Sequence, residues 1–93
     1  MNDTLYLTQA VNLAASSNEP VKCASILVNK DGVIASAYNS QREDGLTASH
    51  AEMKAIAIAN KKLGRKLEGV TAYGNCEPCT MCLTALIFAG VGR

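Results

Sequence analysis

Apolar and polar positions alternate along this chain in helix-like and strand-like patterns that divide it into six predicted elements. Asn2, Asp3 and Thr4 are each good helix caps, and Leu7, Ala10, Val11 and Ala14 then fall on one helical stripe, so a first helix is predicted to end near Ser16. Ser17-Asn18-Glu19-Pro20 cannot continue it, because proline lacks the N–H and clashes with the preceding turn. From Cys23 the chain reads Ala24-Ser25-Ile26-Leu27-Val28, an apolar run of strand length. Asn29-Lys30-Asp31-Gly32 has the residues of a hairpin turn, and Val33 to Tyr38 is the returning strand.

Asn39 to Ala48 is polar and includes Asp44-Gly45, which predicts an irregular loop of about ten residues, long enough to carry function. Ala51, Ala55, Ile56, Ile58 and Ala59 give the next helix a broad apolar face. Lys61, Lys62, Arg65 and Lys66 gather at its C-terminal end, where the helix dipole favours cations, and read as a solvated helix end rather than a phosphate site. Gly64 and Gly69 flank the exit, Val70 to Gly74 is a short strand, and Pro78 stands where a helix begins. Cys79 to Ala89 is that third helix, stopped by Gly90. The order is that of an α/β domain with a three-layer α/β/α arrangement and a small mixed sheet. In it, the β-hairpin is joined by one strand that arrives through a helical crossover and is expected to run parallel to its neighbour.

At 93 residues, 48% hydrophobic and 18% charged, the chain is expected to be a single folded domain over residues 1–93. A domain of this size buries only roughly 60 to 65% of its unfolded surface, so its core is thin unless a metal or a partner adds to it. The formal charge of +1 gives no field that would draw nucleic acid or a membrane. The longest apolar run, Ala85 to Gly92, is far short of the ~20 residues that span a bilayer, and a soluble, cytoplasmic protein without a membrane partner is expected. A three-stranded sheet leaves an unpaired edge and an uncovered apolar face, which predicts a homo-oligomer, a dimer in the simplest case.

The candidate chemistry lies at two helix starts. His50, the one histidine of the chain, precedes Glu52 by two residues just after the long loop. Pro78-Cys79-Thr80-Met81-Cys82 follows a strand. Zinc takes imidazole nitrogen and thiolate sulfur in tetrahedral geometry, and two cysteines three apart on a first helical turn can aim both sulfurs at one ion. His50, Cys79 and Cys82 supply three ligands, which leaves a fourth position for a water whose pKa falls toward ~7. Glu52 is placed to move that water's proton. Each residue also has a duller explanation. Ser49-His50-Ala51-Glu52 has the form of a capping box, with Glu52 bonded back to Ser49. An isolated Cys-x-x-Cys is also a redox pair in some folds, but that leaves His50 and Glu52 unexplained. Cys76 is a rival ligand, although Pro78 and the strand-to-helix corner make it hard to aim all three sulfurs at one ion. Cys76 and Cys23 are taken as small buried apolar residues.

His50-Ala51-Glu52 together with Cys76-Glu77-Pro78-Cys79-Thr80-Met81-Cys82 resembles the cytidine-deaminase-like superfamily, in particular its nucleoside, guanine and transfer-RNA adenosine deaminase branch. The resemblance implies a Zn2+-dependent hydrolytic deaminase, with Glu52 as the catalytic acid and base. It also implies a nucleobase or nucleoside substrate, guanine or a related purine first and transfer RNA as the alternative. A catalytically silent zinc-binding fragment or interaction module is a further alternative. By the same resemblance Asn39 would hydrogen-bond the substrate, and the backbone at Ala24 would lie under its ring. The family's Gly-Ala on the first strand is replaced here by Cys23-Ala24, and its Asp-Pro-Thr before the histidine by Gly45-Leu46-Thr47-Ala48-Ser49. Family members continue into a further strand and helix, whereas Gly90-Val91-Gly92-Arg93 stand where that strand would begin, so the chain is expected to lack about the last third of the fold.

Overall fold

The computed structural model describes residues 2–92 and contains, in chain order, α1 (Asp3–Ala14), β1 (Ala24–Asn29), β2 (Gly32–Tyr38), α2 (Gln41–Asp44), α3 (Ala51–Leu63), β3 (Thr71–Gly74) and α4 (Thr80–Ala89). The hairpin forms as its residues dictate. The Asn29 Oδ1 accepts from the Asp31 N–H at 2.8 Å, and Gly32 takes φ 110°, open to glycine and disfavoured for other residues. A bulge between Leu27 and Val28 shifts the register, so that Leu27 faces Ala35 but Val28 faces Val33.

The sheet order is β2-β1-β3, and β3 pairs antiparallel with β1, Ser25 opposite Gly74 and Val28 opposite Thr71. This corrects the expected parallel pairing. The crossover through α3 does return β3 in the direction of β2, but it carries the chain past β1 and sets β3 on the far side, where the neighbour runs the other way. All residues of β1 except Asn29 are accordingly buried, as befits a central strand.

Successive residues of β1 serve different clusters. Ile26 and Val28 pack with Tyr73 and with Ala10 of α1, whereas Leu27 joins Ala35, Ala37, the α3 residues Ala55, Ile56 and Ala59, and Ala89 of α4. The buried face of α1 differs from the expected stripe: Ala10 and Ala14 are buried, while Leu7 and Val11 are 45% and 58% exposed. Tyr6 decides this rotation, because its ring lies 5.3 Å from that of Tyr73, and the Tyr73 hydroxyl is hydrogen-bonded to the Asp3 carboxylate one turn earlier. In α3, Ile58 likewise falls outside the core.

The expected loop from Asn39 contains a further helix, so the chain has four helices among its described residues rather than three. Ser40 Oγ donates to Asp44 Oδ2 across the turn at 2.8 Å, and Gly45 closes it in the left-handed conformation at φ 65°. Lys54 of α3 pins this segment, donating to Tyr38 O at 2.8 Å and Ser40 Oγ at 2.6 Å. The basic cluster after α3 caps backbone carbonyls, with Lys62 bonded to Ile34 O and Lys66 to Phe88 O. Gly90 to Gly92 form no strand; Gly92 N–H donates to Val70 O at 3.2 Å, and Arg93 lies outside the described residues.

Leu27 is fully buried and Ile58 is 38% exposed. Leu27→Ala is expected to destabilise the fold by about 3 kcal/mol and Ile58→Ala by under about 0.5 kcal/mol, measured by denaturant unfolding.

Candidate metal centre

Two helix N-termini meet at one end of the sheet. His50 is the N-cap of α3 and Cys79 the N-cap of α4, both in extended backbone conformation and neither using its side chain as a cap. The capping box is therefore not formed: the cap is His50 rather than Ser49, and Glu52 stands in the first turn of α3. Cys79 begins α4 one residue outside the helix, and Cys82 follows on its first turn, fully buried. Cys79 Sγ lies 3.7 Å from His50 Nδ1 and 3.5 Å from Cys82 Sγ. All three donor atoms lie within 4.8 Å of one another.

These separations can be compared with those a metal demands. Zn–S bonds of about 2.3 Å and a Zn–N bond of about 2.0 Å at tetrahedral angles place two sulfurs about 3.8 Å apart and a nitrogen about 3.5 Å from each sulfur. The two distances from Cys79 fall within a few tenths of an ångström of those values and the His50–Cys82 pair lies within 4.8 Å, so the residues present fit a zinc ion with a small inward adjustment. With His50 partly exposed, Cys79 exposed and Cys82 buried, one side of the group is open.

The two thiols differ electrostatically. The backbone N–H of Cys82 lowers the Cys79 pKa, helped by the Cys82 side chain and the Met81 N–H, against some desolvation and the Glu52 charge. Burial pushes the Cys82 thiol up to about 12, with the bond to Cys79 and the Glu52 and Cys79 charges acting in the same direction. Cys79 is thus the more easily ionised of the two, and a bound cation favours the thiolate form of both.

A cavity of about 270 Å3 opens beside the donors, lined by Val21, Cys23, Asn39, Gln41, His50, Ala51, Glu52, Cys76, Glu77 and Cys79. Its size suits a small ligand. A second, more apolar cavity of about 200 Å3 between β3 and α4 shares Glu52 and Cys76 with it. Asn39 is buried and its carboxamide is partly spent: Oδ1 accepts from Cys23 N–H at 3.0 Å and Nδ2 donates to Val21 O at 2.7 Å. Ala24 does not line the cavity beside the donors; its N–H donates to Asn75 Oδ1 at 2.8 Å, and the wall at that level is Cys23.

Cys23 and Cys76, expected to be free apolar residues, form a disulfide with Cα atoms 5.8 Å apart, and Cys79 and Cys82 are the free cysteines. The bond ties the start of β1 to the loop that leads into α4. The sequence does contain a signal for it, since the four cysteines less the two at the start of α4 leave one pair, but the separation of 53 residues says nothing about proximity. Gln41 in the cavity wall carries no motif and was not anticipated.

A histidine and two cysteines at converging helix starts form a donor set of the kind that holds zinc, with Glu52 in the wall of the adjoining cavity, on an α/β fold. The family model for the cytidine and deoxycytidylate deaminase zinc-binding region matches residues 1–93, and the chain belongs to that family. It is 37% identical over 94 residues to the tRNA-specific adenosine deaminase of Bacillus subtilis (strain 168), covering 98% of this chain and 58% of that protein. The X-ray structure of guanine deaminase from Bacillus subtilis is similar with a TM-score of 0.89 and 34% identity, over 99% of this chain and 61% of that one. A structure from studies of A-to-I editing by tRNA:A34 deaminases is similar with a TM-score of 0.90 and 35% identity, over 98% of this chain and 72% of that one. The chain thus spans a little under three fifths of the length of the curated adenosine deaminase it matches.

Metal-free protein that has not been reduced is expected to show two alkylatable thiols, Cys79 reacting well before Cys82, and four after reduction under denaturing conditions. Peptide mass mapping reads both numbers; four reactive thiols without reductant would contradict the disulfide.

Proposed function

We propose that this chain carries the reaction centre of a zinc-dependent hydrolytic deaminase that converts an amino-bearing nucleobase or nucleoside to its oxo product. The observation that carries this reading is the His50–Cys79–Cys82 donor set with Glu52 in the wall of the same cavity. His50, Cys79 and Cys82 would hold the ion. Bound there, zinc supplies the Lewis acidity that makes water a nucleophile near neutral pH. Glu52 would take one proton from the attacking water and pass it to a ring nitrogen, then take the second from the new hydroxyl as the carbonyl forms and pass it to the departing amine, ending the cycle as it began. One C–N bond breaks, a carbonyl forms, water is consumed and ammonia leaves.

Asn39 orients the base with what its carboxamide retains, one acceptor lone pair and one N–H. With its N–H given to Asn75, the backbone at Ala24 contributes packing only. Guanine or a related purine is the first substrate, supported by the small cavity and by the likeness to guanine deaminase. Transfer RNA is the second reading, favoured by the likeness to the adenosine deaminases and opposed by the formal charge of +1. Self-association belongs to the same proposal: on α4, Leu83, Ile87 and Phe88 are 49%, 65% and 72% exposed, an apolar surface that a second copy would cover. So does a cytoplasmic location, for which the Cys23–Cys76 disulfide is an uncommon feature.

Zinc-loaded protein is expected to release ammonia from at least one of guanine, cytosine, adenosine and cytidine. Glu52→Ala should keep one zinc per chain and lose about 10²- to 10⁴-fold in turnover. Turnover by the parent protein no greater than that of Glu52→Ala would leave a silent zinc-binding module as the better description.

A further inference from the structure

Among the described residues, one buried side-chain polar atom has no hydrogen-bond partner, and it is Oε1 of Gln41. Buried carboxamide oxygens in folded proteins are ordinarily paired, and an unpaired one calls for an explanation such as a water, an ion or a ligand group. Gln41 lines the cavity that holds His50, Asn39 and Glu52.

Its backbone is held firmly. Gln41 O accepts from Leu46 N–H at 3.2 Å, and the preceding Ser40 N–H donates to Ser49 O at 2.9 Å. The following Arg42 N–H donates to Glu19 Oε2 at 3.3 Å, and Lys54 grips Ser40 from α3. Its carboxamide, by contrast, makes no hydrogen bond to any described residue, so no hydrogen bond has to be broken to turn the oxygen or the amide toward the cavity. Asn39 is the reverse case, with both ends of its carboxamide committed to the Val21–Cys23 backbone. Of the two carboxamides in the cavity wall, that of Asn39 is anchored and keeps part of its hydrogen-bonding capacity, whereas that of Gln41 makes no hydrogen bond at all.

Resting on the deaminase reading, we infer that Gln41 is a specificity-determining residue: its Oε1 accepts a hydrogen bond from a ring N–H or amino group of the bound base, at a point away from the carbon that loses its amine. Gln41 plays no part in metal binding or proton transfer. A site that pairs a polar group of its ligand discriminates strongly, since the wrong ligand leaves the protein's own group buried and unpaired. The contact is made in the ground and transition states alike, so its loss falls on KM rather than kcat.

The test compares parent protein, Gln41→Leu and Gln41→Glu, all zinc-loaded, with guanine. Gln41→Leu is expected to raise KM about tenfold or more with kcat within about threefold, and Gln41→Glu, which keeps an acceptor oxygen, to recover most of the loss. Metal-free Gln41→Leu should melt no lower than the parent, because the substitution removes an unpaired polar atom. An unchanged KM, or a lower melting temperature that shows a structural role, would overturn the assignment. If the parent releases no ammonia from guanine, the deaminase reading fails for that base, and guanine binding by equilibrium dialysis decides the assignment separately. A tenfold weaker affinity in Gln41→Leu upholds it; equal affinity, or no binding by the parent, overturns it.

Discussion

The structure turns on the meeting of two helix N-termini. His50 and Cys79 are 29 residues apart in sequence, yet each is the cap of its helix and their donor atoms lie 3.7 Å apart. Everything that fixes this distance is backbone architecture: α3 laid across β1 and β2, the short β3 paired with the far side of β1, and the strand-to-helix turn that begins α4. Both helices also aim their positive ends at the same point, which favours thiolate and carboxylate there. A shift of either helix by one turn, about 5.4 Å, would remove a ligand.

The surroundings of that point are fixed by polar and covalent links more than by apolar packing. The core is built largely of alanine, with Leu27, Leu67 and Val70 its largest fully buried members on the α3 and α4 side. Small side chains allow helices and strands to approach closely, but they bury little area each. In compensation, the segment from Asn39 to Ser49 is laced to the rest by Lys54, by Ser17 Oγ donating to Asn39 O at 2.8 Å, and by Asn39 itself. The Cys23–Cys76 disulfide closes the opposite wall. The cavity is thereby bounded by one end of the sheet, two helix starts and one cross-link.

What could be read from the sequence was what has a local cause. The hairpin follows from Asn29-Lys30-Asp31-Gly32, and the donor triplet from two short motifs whose spacing chemistry constrains. The partner of β3 was not legible, because direction is set by the crossover whereas the side on which the strand lands is set by tertiary packing. The buried face of α1 depended on Tyr6 finding Tyr73, 67 residues away, against an equally apolar stripe through Leu7 and Val11. The cysteine count allows the disulfide but cannot show that residues 53 apart meet, and the unpaired carboxamide of Gln41 has no sequence signal at all. The metal-ligating pattern survives these differences because it needs only the two helix starts to converge.

The account stands on His50, Cys79 and Cys82 holding one ion while Cys76 stays bonded to Cys23. X-ray absorption spectroscopy of the zinc-loaded chain tests this directly. Two sulfurs at about 2.3 Å, with one nitrogen and one further light atom at about 2.0 Å, is the predicted first shell. A shell of three or four sulfurs would mean that Cys76 is a ligand, that the disulfide is absent, and that the centre is a structural knot without a place for water.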